Sequence, residues 1–222
     1  MSVDAVRRGV PGAALAVQLG RRARGAYAVD EWGLDPDLVS VADPLLGLRW
    51  ELQVQGAERL PAVGGAVLVF NRRLGVSEPW VLARGIRQAT GRFVRTVGVP
   101  DVAPVGPLLR RFGGVLDRPD EIAGLLRAGQ LVGLPMTRDL RSRERVGHLD
   151  AERLEAAIAT DRPVVPVALV GREVGRAWRL VVGSPVPYDA EGGPLAAAEL
   201  AEATRSAVQV LLDESLPTSW WF

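Results

Sequence analysis

The chain has no cysteine, no lysine and a single histidine, His148, and all 27 of its basic residues are arginine. Without cysteine there is no thiolate nucleophile, no disulfide and no thiolate-ligated metal. Without lysine there is no Schiff base and no Walker-type phosphate lysine. Any catalysis that depends on histidine must therefore run through His148.

Long apolar runs and a strong charge imbalance are also missing. No stretch reaches the roughly 18 consecutive apolar residues of a membrane-spanning helix. The apolar segment Val10–Leu19 is flanked by arginines, as a signal peptide would be, but it lacks a small-residue cleavage site and contains Pro11. We therefore expect a helix that lies against the domain or against a membrane surface. A net charge of +1 gives no general argument for nucleic-acid binding. We expect a cytoplasmic protein, with peripheral contact to the inner face of the membrane left open.

The 222 residues, 48% of them hydrophobic, are enough for one domain with its own core. Short apolar runs alternate with helical patterns, which predicts an α/β fold with a mostly parallel central sheet flanked by helices. Residues 1–48 are interpreted as an N-terminal helical segment and residues 49–222 as the α/β domain. The predicted strands are Trp50–Val54, Ala66–Phe70, Phe93–Val97, Leu131–Leu134, Val164–Val170 and Trp178–Val182. The predicted helices are Pro79–Thr90, Pro104–Phe112, Pro119–Leu126, Asp150–Ala159 and Leu195–Leu212.

Three arginines each lie at the exit of a presumed strand: Arg72 after Phe70, Arg118 shortly after Gly114, and Arg138 after Leu134. Open α/β sheets keep their binding sites at the carboxyl ends of the strands. Guanidinium groups that converge there would suit a phosphate or a carboxylate. The alternative, that these are solvated loop arginines, stays open in a chain so rich in arginine.

Four short blocks of sequence follow one another in the order that is typical of the motifs of one protein family. They are Gly56–Pro61 with Gly64–Asn71, Pro104–Gly114 with Asp117 and Arg118, Arg127–Gly133, and Arg162–Gly171. Together they resemble the lysophosphatidic acid acyltransferase-like, or glycerolipid acyltransferase, family. The resemblance implies an acyltransferase-like α/β fold and acyl-CoA or acyl-ACP as an acyl donor. The residues themselves give no evidence for a metal or redox cofactor, and we expect none.

The chain departs from that family where the chemistry is expected. The family's first motif is Asn-His followed, five residues after the histidine, by Asp; the histidine is the general base and the aspartate orients it. Here Arg72 follows Asn71, Ser77 stands at the aspartate position, and Glu78 comes next. A guanidinium is protonated in proteins and cannot act as a base. We therefore assign no catalytic residue.

The family's third motif, Pro-Glu-Gly-Thr-Arg, is also altered. This chain has Pro135-Met136-Thr137-Arg138, without the glutamate and the glycine. The resemblance associates Arg118, Thr137 and Arg138 with holding the acceptor phosphate. The binding residues are thus better preserved than the catalytic ones.

Other interpretations compete at three places. His148 is a candidate substitute base, although a lone loop histidine is more often solvent-facing. The stretch Gly75–Pro79 resembles half of a G-x-S-x-G nucleophile elbow, but Ser77 fits better as the N-cap of the next helix. The terminal Ser219–Phe222, with three aromatic residues, suits docking on the core, a partner or a lipid headgroup region.

The resulting hypothesis is an acyltransferase-like protein of glycerolipid or phospholipid metabolism that is catalytically impaired and binds an acidic lipid or an acyl thioester. The candidate binding residues are Arg72, Ser77, Glu78, Arg118, Thr137 and Arg138. One alternative is an active transferase that uses acyl-CoA or acyl-ACP with a non-standard site. The other is a structural partner of an active relative.

Overall fold

The computed structural model describes residue 20 and residues 29–72, 76–138 and 145–215. The seven strands are β1 (Glu51–Gln55), β2 (Ala66–Phe70), β3 (Val94–Val97), β4 (Gly114–Val115), β5 (Leu131–Pro135), β6 (Val164–Gly171) and β7 (Ala177–Val182). The α-helices are α1 (Pro36–Arg49), α2 (Glu78–Thr90), α3 (Val105–Arg111), α4 (Pro119–Arg127), α5 (Glu152–Ala159) and α6 (Ala196–Ser215). Short 3₁₀ turns occupy Ala57–Arg59 and Gly193–Leu195.

The strands form one sheet in the order β1-β7-β6-β2-β5-β3-β4. Strands β2 to β6 are parallel to one another. Strand β7 runs antiparallel to β6 and parallel to β1, because the short connection 172–176 permits only a hairpin-like return. The predicted mostly parallel sheet is confirmed, and five carboxyl ends meet at the same edge.

Two hydrophobic clusters cover the two faces of this sheet, and β2 shows why. All five of its residues are fully buried, which requires the continuous apolar run seen in its sequence. Val67 and Val69 pack with helices α4, α5 and α6, whereas Ala66, Leu68 and Phe70 pack with α2. The central strand therefore has helices on both sides, as an α/β layer requires.

The N-terminal part of the described chain is attached to this core. Asp35 caps α1 by accepting a hydrogen bond from the Leu38 amide at 2.8 Å. Arg84 of α2 donates to the Asp43 carboxylate at 3.1 Å, and Arg95 of β3 forms an ion pair with Asp30. The division between residues 48 and 49 remains a prediction, and the segment Val10–Leu19 lies outside the described residues.

Helix ends agree closely with the sequence pattern. Gly91 ends α2 with a φ of 75°, a conformation that glycine adopts without strain. Helix α5 begins at Glu152 rather than at Asp150, and the Asp150 carboxylate accepts the Glu152 amide at 3.1 Å. Asp150 therefore lies one residue further from the start of the helix than predicted, and its carboxylate still caps the first turn.

Candidate functional site

Asn71 anchors the segment that follows the central strand. Its side chain is 2% exposed. Its Nδ2 donates to the Leu169 carbonyl at 3.0 Å, and its Oδ1 accepts the Leu169 amide at 2.7 Å. These two bonds continue the pairing of β2 with β6 beyond the last residue of β2. Arg72 therefore leaves the sheet from a fixed backbone position.

Arg72 is half-buried in a crowded cationic environment. Burial lowers the pKa of its guanidinium, and the like charges of Arg138 and Arg153 lower that pKa further, while Glu78 opposes the shift. The Arg72 Nε is buried without a hydrogen-bond partner among the described residues. We call Arg72, Arg138 and Arg153 the arginine cluster. Because a buried donor is normally satisfied, the Arg72 Nε has unused capacity for an anion.

Arg153, in the first turn of α5, was not identified from sequence. Its Nη1 donates to the Pro135 carbonyl at 2.9 Å, and its Nε lies 3.0 Å from a carboxylate oxygen of Asp117. It thus links the residues that follow β4 to the end of β5. Arg153 lies on a helix outside the four sequence blocks, so no sequence pattern indicated that it would contact the site.

Two sequence-predicted residues lie at the start of α2. Ser77 is 4% exposed and Glu78 is 1% exposed. Ser77 occupies the N-cap position, but the prediction that its side chain caps the helix is wrong. Its hydroxyl instead donates to Glu173 Oε1 at 2.7 Å, and its amide donates to Glu173 Oε2 at 3.3 Å. A carboxylate is the stronger acceptor, and it is favoured at a helix N-terminus.

Glu173 is held as a carboxylate by this arrangement. Burial would raise its pKa, but hydrogen bonds from the Ser77 hydroxyl and from the backbone of Val76 and Ser77, with the charge of Arg49, hold the pKa below its usual range. The guanidinium of Arg49 also donates to the backbone carbonyls of Glu173 and Gly175. A lowered pKa makes Glu173 a weak proton acceptor for the hydroxyl that it holds.

Thr137 and His148 are bound to each other. The Thr137 amide donates to the His148 carbonyl at 2.8 Å, and the His148 amide donates to Thr137 Oγ1 at 2.8 Å. Both residues are exposed. The preceding Met136 is 1% exposed and continues the β2–β5 pairing through its amide and the Phe70 carbonyl at 2.9 Å. Thr137 therefore has a clear local role in the loop after β5.

Arg118 follows Asp117, the partner of Arg153, but its own ion pair is with a different residue. Its guanidinium is 3.3 Å from the Asp101 carboxylate, and the two side chains are 65% and 71% exposed. The structure brings Arg72, Glu78 and Arg138 together, with Ser77 adjacent to Glu78. No hydrogen bond or ion pair among the described residues joins Arg118 to that group.

Two further findings concern the described part of the chain. Across residues 29–72, 76–138 and 145–215, no three His, Asp or Glu side chains lie close enough to hold a metal ion. None of the helices in these ranges is both long and apolar enough to cross a bilayer. Gly75 and Ser219–Phe222 lie outside them, so neither the elbow interpretation nor the terminal aromatic residues can be placed.

The architecture is similar to that of a solved acyltransferase. The crystal structure of the 1-acyl-sn-glycerophosphate (LPA) acyltransferase PlsC from Thermotoga maritima aligns with a TM-score of 0.60 at 20% identity, over 91% of this chain and 87% of that chain. The fold is therefore acyltransferase-like, as the sequence blocks predicted. No family model matches the sequence.

Relatives in sequence come from mycobacteria. An uncharacterized protein of Mycobacterium leprae is 27% identical, over 72% of this chain and 49% of its own length. An uncharacterized protein of Mycobacterium tuberculosis is also 27% identical, over 72% of this chain and 50% of its own. The chain spans about half the length of these relatives.

Proposed function

We propose that this chain is an acyltransferase-like protein of glycerolipid metabolism that binds an acidic lipid or an acyl donor without transferring the acyl group. The observation that carries the proposal is Arg72. It stands where the family resemblance places the general base, and its half-buried guanidinium has an unpartnered Nε beside Arg138 and Arg153. A proton acceptor is thus replaced by an anion-binding group.

The missing base argues against transfer. General-base help is worth about 10²–10⁴ in rate. The carboxylate that contacts Ser77 has a lowered pKa and bonds the start of α2, which makes Glu173 a poor replacement. His148 is exposed, which fits the solvent-facing interpretation of a lone loop histidine. Glu173 offers no efficient route for the proton of an acceptor hydroxyl.

The arginine cluster supports an anionic ligand. Arg138 and Arg153 each repel Arg72 in a partly buried site, while Glu78 attracts Arg72 and Asp117 pairs with Arg153. A phosphate or carboxylate placed among them would relieve this repulsion and satisfy the Arg72 Nε. Guanidinium forks bind such groups with paired, charge-assisted hydrogen bonds. The headgroup of an acidic lipid or the phosphates of an acyl donor fit this chemistry.

Binding of lysophosphatidic acid tests the proposal. Hydrogen bonds to charged groups contribute about 1.5–3 kcal/mol, so Arg72→Gln should weaken binding by about 10- to 100-fold. Arg176→Gln is the matched control, because Arg176 is 60% exposed and pairs with Glu51, the first residue of β1. Arg118→Gln tests the remaining sequence-predicted arginine, and its exposed pairing with Asp101 predicts a smaller effect than at Arg72. Equal affinity in wild type and Arg72→Gln would refute the lipid site.

A second candidate is an active transferase with a non-standard site that uses acyl-CoA or acyl-ACP. The hydrogen bond from Ser77 to Glu173 favours it, because it pairs a hydroxyl with a carboxylate near the family's catalytic position. Thiol release that Ser77→Ala abolishes would support this function.

The third candidate is a structural partner of an active relative, and native mass spectrometry distinguishes it from the two lipid-binding candidates. Protein that carries no lipid, and that takes up neither lysophosphatidic acid nor acyl-CoA, would fit this structural role.

A further inference from the structure

The connection between β3 and β4 exposes a run of apolar side chains. None of the residues 102–108 has a polar side chain, and all of them except Gly106 are exposed. The largest are Val102, Val105 and Leu108, which are 63%, 49% and 57% exposed. Contiguous apolar surface in contact with water is a mark of interaction sites. We call residues 102–108 the apolar loop.

The backbone of the apolar loop holds these side chains on one side. The Gly106 amide donates to the Val102 carbonyl at 2.8 Å, so the loop already follows a helical path before α3 begins. A spacing of three residues places Val102, Val105 and Leu108 along one face of such a path. A Cβ on Gly106 would lie 2.3 Å from the Pro100 carbonyl oxygen, so the chain packs tightly there. The apolar face is therefore formed before any partner arrives.

One acidic and one basic side chain lie at the margin of the apolar loop. Asp101 directly precedes the loop, and its carboxylate is 3.3 Å from the guanidinium of Arg118. The two side chains are 71% and 65% exposed. An exposed ion pair of this kind contributes little to stability, so each member can exchange its partner for an equivalent group at little cost. Both residues lie near β4, which is the last strand in the order of the sheet.

The charges around the apolar loop favour a second copy of this chain over a bilayer. Residues 98–121 contain four acidic residues and three arginines, whereas a surface that binds anionic lipids carries a basic excess. A two-fold symmetric dimer instead requires a surface that complements itself. An apolar centre with one carboxylate and one guanidinium at its margin meets this requirement, because the carboxylate of each copy can face the guanidinium of the other.

We propose that the apolar loop is the centre of a two-fold symmetric homodimer interface. Val102, Val105 and Leu108 of one copy pack against the same residues of the second copy. Asp101 of each copy pairs with Arg118 of the other. The surface is small, so the dimer is weak and reversible, with a dissociation constant in the micromolar to millimolar range. The interface goes beyond the proposed lipid function and does not rest on it, because it uses no residue of the arginine cluster.

Sedimentation velocity of the full chain tests the interface in the absence of lipid. We expect the sedimentation coefficient of the wild type to rise with protein concentration from the monomer value to the dimer value. Leu108→Asp places a charge in the apolar centre and should weaken association by about tenfold or more. Val63→Asp, at a position that is 84% exposed before β2, is the control and should associate as the wild type does. A wild type that stays monomeric at millimolar concentration would overturn the proposal, as would unchanged association of Leu108→Asp.

A mixture of two charge-reversed chains tests the pairing between copies. Asp101→Arg alone and Arg118→Asp alone each bring like charges together across the two-fold axis, so each variant should sediment as a monomer. An equimolar mixture of the two restores opposite charges at both contacts and should form a heterodimer. Glu51 and Arg176 provide the control, because they are an equally exposed pair at the same distance of 3.3 Å, and Glu51→Arg and Arg176→Asp should each dimerise. A mixture that stays monomeric would overturn the proposal.

Vesicle sedimentation tests the other occupant of this surface. The wild type and Leu108→Asp are mixed with vesicles of phosphatidylcholine and phosphatidylserine. We expect no binding that depends on Leu108. Binding of a monomeric wild type that Leu108→Asp abolishes would assign the apolar loop to a bilayer and overturn the dimer. None of these measurements uses lysophosphatidic acid, so the dimer and the lipid site fail separately.

Discussion

Replacing Asn71 with alanine tests how the segment before Arg72 is fixed. The change removes two buried hydrogen bonds, at 3.0 and 2.7 Å, and leaves both the amide and the carbonyl of Leu169 without this partner. Each buried group left unsatisfied costs about 1–3 kcal/mol. Some water entry reduces the sum, so we expect Asn71→Ala to lower the free energy of unfolding by about 2–4 kcal/mol. For a chain of this size, 1 kcal/mol lowers Tm by about 2–4 °C.

The assay is urea unfolding followed by tryptophan fluorescence, since the chain contains six tryptophans. Asn71→Asp is the second variant to measure. Its ionised carboxylate can still accept the hydrogen bond from the Leu169 amide, but it has no proton to donate to the Leu169 carbonyl. Burial raises the folded-state pKa of such a carboxyl above its unfolded value of about 3.9. Stability should therefore be greatest below that pH, and should be lost as the pH rises through the folded-state pKa. A loss under about 1 kcal/mol for Asn71→Ala would refute the reasoning.

The remaining predictions concern charge and packing near the site. Glu173→Gln should destabilise the chain at neutral pH, and the difference should disappear as urea midpoints are measured down through the lowered pKa of Glu173. The stabilisation from a depressed carboxyl pKa is complete above the unfolded value and is lost as the pH falls through the folded value. Asp117→Asn removes the negative charge that pairs with Arg153 and leaves the arginine cluster more positive. Calorimetric titration should therefore show that lysophosphatidic acid binds about three- to tenfold more tightly. Weaker binding would contradict the proposal that the arginine cluster binds the anion. Gly147→Ala forces its Cβ against the Thr137 carbonyl and should lower the unfolding free energy by more than about 2 kcal/mol in chemical denaturation; a neutral effect would mean that the close approach is absent.

Local sequence patterns were sufficient to predict most strands and helices. The runs Ala66–Phe70 and Val164–Val170 are apolar because they are buried on both faces, and such runs are recognisable without knowledge of the fold. The turn at Gly91 was likewise predictable, because a left-handed backbone at the end of a helix favours glycine. These features depend on neighbours close in the chain.

The candidate site was predicted only in part, because its contacts join distant residues. Arg72 and Arg138 were identified because each follows a strand, and their strands β2 and β5 are neighbours. The bond between Ser77 and Glu173 spans 96 positions. The capping rule for serine failed there, because a carboxylate brought in by the sheet order offered a stronger acceptor. The contribution of Arg153 arises from a helix that packs beside the site, which no local pattern indicates.

We propose that this acyltransferase-like chain binds its ligand without transferring an acyl group. The most direct measurement is thiol release by the purified chain incubated with long-chain acyl-CoA and lysophosphatidic acid. We predict a rate equal to that of the reaction without protein, and no change with Arg72→Ala. Turnover clearly above that background, lost in Arg72→Ala or Ser77→Ala and kept in Arg176→Ala, would contradict the account.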